Sequence, residues 1–178
     1  MSIERGQLVP ENTRVTFELQ NQVPILKEVY HADGVGTVVL RGLVNQRAEI
    51  TMLDGARYRT RGARKIADFP NELVYPLVQV APHKRDVCML HTPLKLAPGT
   101  VPQLRFWTTL DGEQYVFRQI TAGRRGFELW DGMEMNKLVN REVSARLMPD
   151  LSVLHPVPAL LVLLFPWMDS QTIMHRQQ

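Results

Sequence analysis

Five cations crowd the segment from Arg57 to Lys65 (RYRTRGARK), and three of them, Arg57, Arg59 and Arg61, recur at every second position. Alternate residues of a β-strand point to the same face, so an extended ARYRTR sets these three arginines on one side and Tyr58 on the other. A one-sided arginine row suits phosphate chemistry, because each guanidinium is a planar fork of donors that matches two oxygens of an anion. Arg64 and Lys65 continue the cluster, and Lys84, Arg85, Arg124 and Arg125 fall in expected loops that enlarge it if the fold brings them together. The same row also fits an ordinary solvated strand face whose charges discourage edge-to-edge association.

The other reactive side chains form no recognisable constellation. Cys88 and His91 have a CxxH spacing, but a metal centre needs three or four ligands and the neighbouring sequence supplies no more. The remaining histidines, His31, His83, His155 and His175, are scattered. Asp131, Glu134 and Asp150 offer carboxylate oxygens without the dense spacing of a calcium loop, and turn chemistry is reason enough for Asp131. The chain has no GxSxG elbow, and Asp33-Gly34-Val35-Gly36 matches neither the Walker pattern nor the dinucleotide fingerprint, so a turn is the simpler reading. The expectation is a non-enzymatic protein with no catalytic residue, no metal and no cofactor.

Composition narrows the classes further. A chain of 178 residues with 44% hydrophobic and 22% charged residues is that of one folded unit rather than a disordered one. A net charge of +3 permits attraction to phosphate but is too small to be a nucleic-acid footprint. Alternation places Phe106, and separately Tyr115 with Phe117, on single strand faces in the manner of a core, so base stacking is not expected. Met1 to Asn12 lacks the apolar core of a signal peptide, and the single Cys88 reads as a small core residue; a cytoplasmic location is expected.

The elements that must position the cations are strands. TRVTFEL (13–19) alternates apolar and polar residues. AEITML and ARYRT flank Asp54-Gly55, LRFWTTL and QYVFRQI flank Asp111-Gly112, and FELW and MEMNKLV flank Asp131-Gly132. Each reads as a hairpin, because Asp-Gly supplies the positive φ that tight primed turns require. With Asp33-Gly34 before TVVLR (37–41), the chain reads as a meander that hides its edges in a barrel or a sandwich. Prolines 70, 76, 82, 93 and 98 interrupt the pattern, so strands there, such as LVQV (77–80) and VCML (87–90), are expected to be short or at edges. SARL (144–147) reads as one more strand.

The last quarter holds an uncharged run, VPALLVLLFPWM (157–168). A bilayer needs about 20 apolar residues, so this run reads instead as a helix buried in the protein, without a transmembrane span. It is expected to begin near Pro156 or Pro158, to kink or end at Pro166, and to turn Leu160, Leu161, Leu164 and Trp167 inward.

In pattern, most of the chain resembles the tubby-like fold shared by LURP-one-related proteins and phospholipid scramblases. The resemblance is carried by EQYVFR, RRGFELWDG, MEMNKLV, REVSARLMPD and the apolar run ending at Trp167, Met168 and Asp169, with RAEITMLDGARYRTRG as a corresponding strand pair in the first half. It implies a mainly β fold: a closed antiparallel barrel of about 12 strands around a hydrophobic C-terminal helix. The implied layout is a single domain over 1–178, with a tail at 1–12, barrel strands within 13–148, the helix over 156–169 and a tail at 170–178. It also implies recognition of anionic phospholipid by the basic strand face, at the periphery of a membrane. A protein partner bound through the proline-rich region 70–102 is the alternative.

Overall fold

Strands form wherever apolar and polar residues alternate. The computed structural model describes residues 7–23, 27–42, 46–93, 103–121, 126–142 and 149–176. In chain order the strands are β1 (Leu8–Val9), β2 (Thr13–Val23), β3 (Lys27–Ala32), β4 (Gly36–Arg41), β5 (Arg47–Met52), β6 (Arg57–Thr60), β7 (Arg64–Ile66) and β8 (Phe69–Ala81). They continue as β9 (Arg85–Pro93), β10 (Arg105–Leu110), β11 (Glu113–Gln119), β12 (Phe127–Asp131), β13 (Lys137–Arg141), β14 (Asp150–Val153) and β15 (Val157–Pro158), before helices α1 (Ala159–Leu163) and α2 (Phe165–Arg176).

Twelve strands close a ring in the order β2-β3-β4-β5-β6-β8-β9-β10-β11-β12-β13-β14 and back to β2. Every pairing is antiparallel and joins neighbours in this order, so the molecule is an up-and-down barrel, the fold class expected from the sequence. Strand β14 completes the ring, pairing Leu151 with Val15 on one side and Arg141 on the other, so the barrel extends past residue 148. The N-terminal segment also takes part: Leu8 and Val9 pair with Pro158 and Val157. The expected strand at 144–147 lies outside the described residues.

The hairpins show local chemistry at work. Asp111 and Gly112 both have positive φ, +50° and +79°, which turns β10 into β11 with Leu110 opposite Glu113. The third hairpin departs from expectation: β13 starts at Lys137 rather than Met133. The Asp131 carboxylate accepts the backbone N–H groups of Met135 (2.9 Å) and Asn136 (3.2 Å), donors that a longer ladder would have used. These bonds, that from Met135 foremost, hold its carboxyl below the usual range.

Pro70 and Pro76 do not shorten their strand, and Pro98 lies outside the described residues. Strand β8 runs for 13 residues through Pro70 and Pro76 and pairs with the nine-residue β9. The N–H and C=O of a strand residue point to the same side, and the carbonyl of Pro76 accepts from Arg61 N–H (2.8 Å), where the chain passes from β6 to β7. Strand β6 pairs with Leu77–Ala81 and β7 with Phe69–Val74, so the proline's missing donor falls at the gap between them.

The terminal run is the plug. Leu161, Val162, Leu163, Leu164 and Phe165 are fully buried and Leu160 and Trp167 nearly so, packed against inward side chains such as Phe17, Ile50, Phe106 and Phe117. Trp167 meets Tyr75 edge-on at 5.2 Å, and Phe165 meets Phe117 at 5.4 Å. The helix differs from its expected span of 156–169. Val157–Pro158 is strand, and the kink lies at Leu164; Pro166 sits in the first turn of α2, where a missing donor costs nothing, and the helix continues to Arg176. Among the described residues no helix is long and apolar enough to cross a membrane.

Candidate functional site

Strand pairing assembles the cations. On the outer face of the barrel Lys27 of β3 stands opposite Arg41 of β4, and Arg41 stands opposite Arg47 of β5. Glu49 faces Arg59 in the next pair, where the ladder ends: Ala48 N–H donates to the Thr60 hydroxyl (2.9 Å), and the exposed Arg61 follows β6. Gly62, next to Arg61, lies near Arg47: a Cβ on it would stand 3.7 Å from Arg47 Nη2, an ordinary contact. Three cations thus cross three strands in one row, with Arg61 just after the fourth strand. The next row reads Val29, Val39, Glu49, Arg59, and the third His31, Thr37, Thr51, Arg57.

Six cations therefore share this face with one carboxylate, Glu49. Its Oε1 lies 3.4 Å from Arg41 Nε and 3.8 Å from Arg59 Nη2, with all three side chains well exposed, so these pairs offset little. Like charges directly opposite one another destabilise a sheet, yet Arg41 is held between Lys27 and Arg47. Such a face can hold several anionic oxygens at once, each relieving the repulsion among the cations.

The expected residues divide by position. Arg57, Arg59 and Arg61 are exposed on the outer face, with Tyr58 opposite and packed against the core. Arg64 and Lys65 are exposed on β7, just beyond Arg61. Lys84 and Arg85 do not extend the row: they lie in and after the β8–β9 turn, and Ala81 beside that turn pairs with Arg57, at the other end of the barrel. Arg85 instead donates from Nε to Gln79 Oε1 at 2.5 Å. Arg124 and Arg125 lie outside the described residues. Lys27, Arg41 and Arg47 were not singled out by the sequence, although Arg41 and Arg47 end β4 and begin β5 and so must face one another in any hairpin.

The remaining groupings are taken apart by the fold. Cys88 and His91 are three residues apart on β9 and point to opposite faces. Cys88 packs against the core, and burial pushes its thiol up to about 11. His91 Nδ1 lies 2.9 Å from Glu72 Oε2 on the outside. Asp150 takes a bidentate pair from Arg14 (2.8 and 3.1 Å), Glu134 pairs with Arg105 (2.8 Å) and Asp131 serves its own loop, so the three carboxylates share no site. Among the described residues no group of three His, Cys, Asp or Glu is placed to hold a metal ion. No protein-family model, curated protein or solved structure matches the chain.

Proposed function

We propose that the chain is a non-enzymatic binding module of the tubby-like kind that attaches to anionic phospholipid headgroups through the outer face of β3 to β6, as a cytoplasmic protein peripheral to the membrane. The observation that carries this reading is the line Lys27, Arg41 and Arg47 across adjacent strands with the exposed Arg61 just after β6, four cations against the single nearby carboxylate of Glu49. A Lys or Arg near an anionic membrane contributes about 1 kcal/mol. Replacing all four with Ala should therefore weaken binding to phosphatidylserine-containing vesicles by about a thousandfold, and raised salt should weaken the native protein in parallel. Absence of binding at low salt, or full binding by a folded quadruple variant, removes the reading.

A protein partner is the second reading, favoured by a groove of about 360 Å³ on the outer face of β8 to β11, lined by Phe69, Glu72, His91, Trp107 and Val116 among others. Phe69 is 42% exposed at its edge, and Met89 of β9 is 41% exposed on the same side. Phe69→Ala with Trp107→Ala should then abolish a pull-down while leaving vesicle binding unchanged; capture that survives both substitutions counts against it.

A further inference from the structure

The plug does not fill the barrel evenly. Beside the point where β15 leads into α1, a cavity of about 920 Å³ opens between the β5–β6, β8–β9 and β10–β11 turns. Met52, Val87, Leu110 and Leu160 supply apolar lining, and the rings of Tyr58 and Tyr115 join them. Met52, Leu110, Tyr115 and Leu160 keep 6–7% exposure, whereas Leu161, Leu163, Leu164 and Phe165 deeper in the plug keep none. That residual exposure is surface turned to the cavity.

The rim has the opposite sign to the strand face already described. Asp54, Asp111 and Glu113 line it and are exposed, and among the described residues none of them is in an ion pair with Lys or Arg. The basic side chains on the lining are Arg85, which keeps its charge while its Nε donates to the neutral Gln79 Oε1, and His83, so the three carboxylates outnumber the one fixed cation. The volume falls in the upper part of the range for small-molecule pockets, roughly 300–1,000 Å³. An anionic ligand would set its charge among three carboxylates. A neutral apolar one would leave those carboxylates unused.

We infer that this mouth binds a small amphipathic amine, its apolar chain along Met52, Leu110 and Leu160 and its ammonium group at Asp54, Asp111 and Glu113. Tyr58 and Tyr115 add aromatic faces, which attract cations. The site is distinct from the cationic row and does not depend on the phospholipid reading.

The test is calorimetric titration at pH 7 with octylamine, octanol and octanoate, three probes of one chain length and different charge. Octylammonium should bind saturably, octanol more weakly, and octanoate at least tenfold more weakly than the amine. In Asp54→Asn/Asp111→Asn/Glu113→Gln the amine should fall to the level of octanol. These substitutions suit the fold, since Asn tolerates the positive φ at position 111 and keeps the acceptor that Asp54 offers to Ala56 N–H. Leu110→Trp, which fills the cavity, should weaken all three probes. Octanoate binding as tightly as octylamine, no saturable amine binding, or an undiminished amine preference in a triple variant that melts like the native protein would overturn the proposal.

Discussion

The two ends of the barrel are made by the same strands and differ in both charge and packing. At the end where β4 leads toward β5, the outer face carries Lys27, Arg41 and Arg47 with Arg61 close after β6, and the described plug side chains beneath are buried. Trp167 is 1% exposed and donates from Nε1 to the carbonyl of Gln46 (2.9 Å), while Arg141 grips Asp169 through bonds of 3.0 and 2.7 Å. At the other end the turns present Asp33, Asp54, Asp111 and Glu113 beside Lys84 and Arg85, and the plug leaves a cavity. Close packing beneath a strand face suits a surface that must hold charges in register, because each cation's position is set by strands packed on the core. An open end suits a ligand that enters.

The contrast in packing can be broken by truncation. Trp167→Ala should cost about 4 kcal/mol in denaturant unfolding, since the side chain is buried on all sides. Leu160→Ala should cost about 2, the low end for such a change, because a cavity already adjoins it. Equal costs would mean that the mouth is as tightly packed as the surroundings of Trp167. Asp169→Ala leaves the nearly buried Arg141 guanidinium without its carboxylate and should cost about 3 kcal/mol.

The contrast in charge predicts a substitution that moves stability and binding in opposite directions. Arg47→Thr removes one of the like charges facing Arg41, so it should stabilise the fold by a few tenths of a kcal/mol while weakening vesicle binding about fivefold. A loss of both would show that the arginine is structural.

The smallest effect measures how far the opening reaches. Cys88 faces the interior and its thiol is pushed up to about 11 by burial, so iodoacetamide at pH 8 should modify it slowly in the folded chain and readily after unfolding. The sign of the linked stability follows. The folded thiol stays neutral up to about 11 while the unfolded one ionises near 9.0, so stability is lost as pH rises through that window. Fast native labelling would extend the cavity to Cys88.

The barrel was legible because its signals are local. Period-two alternation gave strand faces, Asp-Gly marked two of the three hairpins, with the primed turn itself only at Asp111-Gly112, and an uncharged run too short for a bilayer gave the plug. Errors arose where a residue's role depends on its neighbour in space. Pro76 is harmless because the gap between β6 and β7 lies beside it, and Pro166 restarts a helix because Leu164 has already turned the chain. The candidate site was half visible for the same reason. Arg57, Arg59 and Arg61 share one strand, whereas Lys27, Arg41 and Arg47 join them only through register across β3, β4 and β5.

The most direct test sets the two ends against each other in one vesicle co-sedimentation series, with phosphatidylcholine alone and with phosphatidylserine added, at low and high salt. The Lys27→Ala/Arg41→Ala/Arg47→Ala/Arg61→Ala variant should lose salt-sensitive binding to the acidic vesicles, and the Asp54→Asn/Asp111→Asn/Glu113→Gln variant should retain it. Binding that survives the first set and is lost with the second would contradict the assignment of the anionic surface to the β3–β6 face.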